Sequence, residues 1–321
     1  MQPEITEPVE LVVNSRLNPD SVGWTRTPLH RSNNLRSPGR TKRWEYWGVW
    51  SDEYFIGLTL ADLSYAHLMD IYVLDCSTNT ETVRSSIGLG PMRQRLSDEL
   101  PPMTATAGRL RFTDSITGTR LQASAKNVEL DVNVGVGSDA LGVVVPWNTK
   151  QFQYTLKDLN RPATGTVTIA GQTIELSNAF AVLDRGRGIW PYRMTWNWGT
   201  GNGKSVDGVT LGLQVGGKWT DGTGSTENGL FVNGRLHYWP EELTWEYDLA
   251  DAAAPWRVHG PQLDAVLTPF HRRRAVTELG VIGTRIHQAF GTWTGWAADN
   301  DGNRYTLDGL VGWAEEARNR W

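Results

Sequence analysis

Three carboxylates stand in stretches that also carry aromatic residues. Asp184 opens the run Asp-Arg-Gly-Arg-Gly-Ile-Trp-Pro-Tyr, Glu227 sits in Thr-Glu-Asn, and Glu45 sits in Trp-Glu-Tyr-Trp. A carboxyl group held among apolar rings keeps its proton closer to neutral pH, which is what a general acid requires. Asp184, Glu227 and Glu45 are therefore the candidate proton donors. The polar end of a substrate would be held by nearby donors and acceptors: Arg185, Arg187, Tyr192, Asn197, Asn228, His237, His287 and Gln288. Apolar walls would come from Trp47, Trp190, Trp196 and Trp198. Each acid also has a structural reading. Asp184, which precedes Arg185 and Arg187, makes a staple joining two halves, Glu227 a turn acid, and His287 a hydrogen-bonded core histidine.

Other chemistries lack their residues. The run Gly199 to Ser205 imitates a phosphate loop, but Trp198 stands where the first glycine is required and a strand pattern follows, so a glycine-rich β-turn is expected. Asp299, Asp301 and Asn303 have calcium-loop spacing, yet Arg304 takes the position that needs glycine, so a hairpin turn is expected. The six histidines are scattered, which leaves no metal site and no cofactor to expect. No Gly-x-Ser-x-Gly elbow is present.

The chain has 321 residues and a formal charge of −4, so it lacks the basic footprint of a nucleic-acid binder. His271 to Arg274 is too short a cluster to change that, and reads as a solvated turn. The single cysteine, Cys76, excludes an internal disulfide. The acidic start does not resemble a signal peptide, and no apolar run reaches the roughly 18 residues of a membrane span. A cytoplasmic protein without nucleic-acid partners is the expectation. Sixteen tryptophans are the outstanding feature of the composition.

Period-two alternation dominates the chain. Trp44, Tyr46 and Trp50 share one face of a strand, with Glu45 on the other. Val128, Leu130, Val132 and Val134 alternate with Glu129, Asp131 and Asn133, and Val209 to Val215 repeat the pattern. Asn233-Gly234 between strand formers marks a hairpin. Ser177–Leu183 is the one stretch expected to be a short helix. Roughly fifteen to eighteen strands with short turns predict an all-β protein of two lipocalin-like antiparallel barrels, or barrel-like sandwiches, in tandem. The expected units are 1–190, with an irregular N-terminal strap, and 191–321. The segment from Asp184 to Gly203 is then the seam between them and the wall of a site.

The blocks Lys42-Arg43-Trp44-Glu45-Tyr46-Trp47, Asp184 to Tyr192, Trp196-Asn197-Trp198-Gly199, Thr226-Glu227-Asn228 and His287-Gln288 resemble a bacterial family, domain of unknown function 2804. That resemblance implies a lipocalin-like superfamily and, more distantly, two-barrel carotenoid hydratases and tocopherol cyclases. Such relatives protonate, hydrate or cyclise large apolar molecules. The expected function is acid–base chemistry of the hydratase, cyclase or isomerase type on a mostly apolar or amphipathic small molecule. The alternatives are a non-catalytic carrier or sensor, and a carbohydrate-active protein with an open Trp-lined groove.

Overall fold

A computed structural model describes residues 2–90 and 96–320. Trp321, one of the sixteen tryptophans, lies outside them. Among the described residues the chain is all β apart from one 3-10 turn at Pro19–Ser21. Two curled antiparallel sheets follow one another along the chain.

The first sheet runs, edge to edge, through Thr104–Ala107, Leu110–Ser115, Gly118–Ala125, Val128–Val134, Phe152–Ile169, Gln172–Ile189, Thr41–Trp50, Tyr54–Asp62, Ala66–Asp75 and Thr80–Leu89. Leu141–Pro146 joins its side along Phe152–Ile169 and in turn pairs with Trp24–Thr25 of the strap. The second sheet runs through Arg235–Trp239, Asn228–Val232, Thr210–Gly217, Arg193–Lys204, Leu310–Arg320, Ile282–Ala298, Leu263–Leu279, Trp256–Gly260 and Thr244–Glu246. In each case the sheet is a half-barrel, with its two edge strands left unpaired to each other.

Three sequence expectations change, the first being that His271 to Arg274 lie inside the strand Leu263–Leu279, paired with Ile282–Ala298, and not in a turn. Ser177–Leu183 is not helical but lies inside the long strand Gln172–Ile189. Its neighbours Phe152–Ile169 and Thr41–Trp50 pair with it on both sides, and that tertiary pairing overrides the local preference. Residues 199–204 are likewise strand, not turn, because Thr210–Gly217 and Leu310–Arg320 flank them. The hairpin at Asn233-Gly234 forms as its residue types require, with φ of 48° and 83°.

Alternation along the strands divides the apolar residues among three cores. Trp47, Ile56, Leu58, Phe112, Leu130 and Val167 fill the hollow of the first sheet. Leu213, Leu230, Trp239, Trp256 and Trp293 fill that of the second. The third core lies between the two sheets and holds Trp24, Trp50, Trp190, Trp198, Trp219, Trp313, Phe55, Tyr72 and Phe290. The tryptophans thus serve chiefly to join the halves. At Gly48 the sheets approach so closely that an added Cβ would lie 2.9 Å from the Trp313 ring.

Candidate functional site

A row of polar side chains crosses the first sheet on its interface side. Register places Lys157 beside Asp184, Asp184 beside Tyr46, Tyr46 beside Thr59, and Thr59 beside Asp70. A second row crosses the facing sheet in the order Trp198, Glu315, Gln288, Arg273. The rows meet at both ends. Lys157 Nζ lies 4.1 Å from the centre of the Trp198 ring, and Arg273 pairs with Asp70 at 3.0 Å. Between these contacts Tyr46 and Glu315 face the space that separates the sheets.

The Lys157 end is built as a buried ion cluster. Its ammonium lies 2.9 Å from Asp184 Oδ1 and 3.5 Å from Glu227 Oε2, with all three side chains nearly sealed from solvent. Indole N–H groups complete it. Trp44 donates to Asp184 at 3.0 Å, Trp219 donates to Glu227 at 2.7 Å, and the Thr155 hydroxyl donates to Asp184 at 3.2 Å. Burial works against charge on Lys157, but the facing Asp184 and Glu227 win and hold its pKa above the usual value. Burial pushes the Glu227 carboxyl up, with Lys157 opposing.

Glu315 is the acid on the second sheet. Trp196 Nε1 donates to one oxygen at 3.0 Å and Gln288 Nε2 to the other at 3.1 Å. Burial raises its pKa to about 7, against the pull of Trp196 and Lys157. Burial likewise raises the Tyr46 hydroxyl well above its ordinary value, with the Glu315 charge adding to the effect. Tyr46, Trp44 and Trp196 nevertheless keep part of their surface accessible.

The candidate residues fall into three groups. Asp184, Glu227, Trp190, Trp196, Trp198 and Gln288 converge on the inter-sheet cluster, where Trp190 stacks with Trp219 and hydrogen-bonds Gln153. Glu45, Arg185 and Arg187 point the other way, into the first half-barrel. There Glu45 takes ion pairs from Arg185 at 3.2 Å and Arg187 at 3.0 Å. The strand period of two separates Asp184 from the arginines that follow it, so its counter-ion is Lys157 and not Arg185 or Arg187. Trp47 lies on that same inner face, beneath the Arg161 guanidinium.

The remaining candidates hold structure elsewhere. Asn197 is buried against Tyr247 and the Glu315 backbone carbonyl. Asn228 accepts from Gly216 N and donates to the Glu241 carbonyl. His237 accepts the Asn300 backbone N–H. His287 takes a contact from Arg272 on the face of the second sheet that carries Ala289 and Trp293, away from the cluster. Tyr192 is partly exposed and donates to the Val281 carbonyl.

Lys157, Glu315 and Tyr46 escaped sequence reading as site residues. Their signal was slight: Lys157 shares a strand face with Gln153 and Thr155, opposite the apolar Phe152, Tyr154 and Leu156, and Glu315-Glu316 interrupts the small apolar run around Ala314 and Ala317.

The expected broad Trp-lined cavity is not seen. The tryptophans pack on one another, as in the edge-on contact of Trp190 with Trp44 and Trp196. Two shallow grooves, of about 450 and 520 Å³, lie over Arg111, Gln122 and Asp131 and beside Val13 and Asn14, and neither touches a tryptophan. No tryptophan is exposed among the described residues, so the flat aromatic platform of an open sugar groove is missing. No helix among them is long and apolar enough to cross a membrane.

These features define a class: an all-β protein of two curled sheets clamped around a buried carboxylate and indole cluster. The chain belongs to the family called domain of unknown function 2804, whose pattern it matches over residues 2–321. No curated protein matches it. Among solved structures it is similar to a putative AttH protein from Nitrosomonas europaea, with a TM-score of 0.56 and 12% identity, covering 96% of this chain and 98% of that one. It is also similar to kievitone hydratase from Nectria haematococca, with a TM-score of 0.54 and 11% identity, covering 90% and 92%. At such identity the likeness concerns the fold.

Proposed function

We propose that this protein is an acid–base enzyme of the hydratase, cyclase or isomerase type, acting on a mostly apolar small molecule between its two sheets. The observation that carries the reading is Glu315. Its carboxyl is buried, held by two neutral donors, set beside Tyr46, and has a pKa of about 7. An acid poised near the working pH transfers a proton most effectively. Asp184 and Glu227, locked to Lys157, supply a fixed field that favours positive charge developing on a protonated substrate. Glu45, neutralised by two arginines on the other side of the first sheet, takes no part. The hydratase among the structures of similar fold agrees with this reading.

The test is isotope exchange. Protein is incubated in heavy water with a lipid extract of its host, and products are read by mass spectrometry. Deuterium gained at carbon, lost on Glu315→Gln and kept on Glu45→Gln, is the expected result. Tight retention of a host molecule with no exchange would instead favour the carrier.

A further inference from the structure

The hairpin of Leu263–Leu279 and Ile282–Ala298 turns at Gly280-Val281, and Leu310–Arg320 and Arg193–Lys204 run alongside to within two residues of that turn. The flanking strands Thr210–Gly217 and Trp256–Gly260 stop pairing at Asn197 and Leu267. These four strands therefore continue as a ribbon beyond their neighbours. Alternation puts Arg193, Arg274, Arg285, Arg318 and Arg320 on one face of it, the face that carries Ala314 and Trp293 deeper in the sheet. The patch measures roughly 13 by 14 Å. Register sets Arg285 opposite Arg318 and Arg193 opposite Arg320. Like charges directly opposed in a sheet destabilise it, so stability alone does not account for this arrangement in a chain of net charge −4.

The acids on this face are too few to cancel it. Glu278 is shared by Arg285 and Arg320, and Glu316 by Arg318 and Lys218. Arg193 and Arg274 are exposed and take no ion pair among the described residues. The same field reaches His287, whose pKa is lowered first by burial and then by Arg272 and Arg274. Across the seam, the first sheet brings Arg40, the buried Lys42 and Arg43 to this end against Asp62 and Asp98. That side adds to the surplus.

Exposed apolar side chains gather at the same end. Val281, at the turn, is 75% exposed and Leu89 is 94% exposed, with Ile87, Val276 and Tyr192 exposed as well. Ser85 lies level with Asp70, which Arg273 grips from the hairpin. Leu89 and Thr277 each stand four residues further on, so Leu89 lies beside the tip of the ribbon. Tyr192 donates to the Val281 carbonyl, and Arg40 and Arg193 flank its ring.

We propose that this end of the molecule docks on the surface of an anionic lipid bilayer. Guanidinium forks match lipid phosphates. Val281 and Leu89 enter the boundary between headgroups and acyl chains, and Tyr192 sits at headgroup level. Nucleic acid would engage the arginines but leave the apolar tip in water. A bilayer accounts for both features.

Cosedimentation of the whole protein with lipid vesicles tests this. Phosphatidylcholine vesicles with about a quarter phosphatidylglycerol should bind it at least about tenfold better than phosphatidylcholine alone, and added salt should release it. Arg193→Glu combined with Arg274→Glu should weaken binding at least about tenfold, because each arginine near such a surface contributes about fivefold. Val281→Asp should weaken it at least about threefold. Arg111→Glu, on the outer face of the first sheet, should leave it unchanged. All four side chains are exposed, and circular dichroism checks that each variant folds. If one does not, the lipid and salt dependence of the wild type decides. Binding to neither vesicle, equal binding to both, or full binding by the double arginine variant overturns the proposal. Capture of duplex DNA without vesicle binding overturns it too.

Discussion

Glu315 ties the proposed chemistry to a measurable cost in stability. Its carboxyl titrates near 4.5 when exposed and near 7 in the folded protein, chiefly because burial disfavours its charge. Between those values the folded state keeps the proton while the unfolded chain releases it. Stability from this group therefore falls as pH rises from about 4.5 to about 7, by up to about 3 kcal/mol, and is flat above. His30 contributes the opposite slope. Burial depresses its pKa to about 4, so stability is lost as pH falls from 6.5 towards that value. Denaturant unfolding of wild type and Glu315→Gln at several pH values separates the two. The difference between the proteins should grow through the Glu315 window and then level off. A constant difference would show an ordinary carboxyl.

At the scale of elements, the site depends on strands that bring backbone close to side chains. Gly186 lies where an added Cβ would sit 2.3 Å from the Trp44 ring and 2.5 Å from Gln153 Nε2. These are side-chain atoms, and they yield by shifting the indole that donates to Asp184. Gly165 is different: its φ is +149° and its added Cβ would lie 2.2 Å from the Asp131 carbonyl oxygen, part of the neighbouring strand. Gly186→Ala should cost about 1–3 kcal/mol with the fold retained, and Gly165→Ala should cost more. Thermal melts compare them, and near-ultraviolet dichroism should register the Trp44 shift in Gly186→Ala alone.

Much of this level was legible in sequence. The alternation at 128–134 and the Asn233-Gly234 turn read directly because side-chain direction and turn dihedrals are local properties. Ser177–Leu183 did not, since its conformation is set by strands more than a hundred residues away on one side and about twenty on the other.

For the whole molecule, the core between the sheets decides whether the halves are separable. We place the boundary after Trp190, between the strands Gln172–Ile189 and Arg193–Lys204. Cutting there would expose Trp24, Trp50 and Trp190 on one piece and Trp198, Trp219 and Trp313 on the other. Each large indole buried by this contact contributes roughly 2–3 kcal/mol, so each piece, though it keeps its own core, would lose that contribution and expose a broad apolar face. Residues 191–321 expressed alone should aggregate, and co-expression with 1–190 should return a soluble one-to-one complex by sedimentation. A well-folded monomeric half would show that the sheets are independent.

The amino-acid sequence by itself determined the all-β class, the tandem halves, the family and the pairing of acids with tryptophans near residue 190. These follow from local periodicity and composition, which survive without a third dimension. Tertiary structure alone decided the partners. Alternation carried Arg185 and Arg187 away from Asp184 to Glu45, while strand pairing set Lys157 beside it and the packing of two sheets brought Glu227 and Glu315 towards it from distant strands. Counter-ions and burial are properties of the space between elements, and no spacing along one chain specifies them.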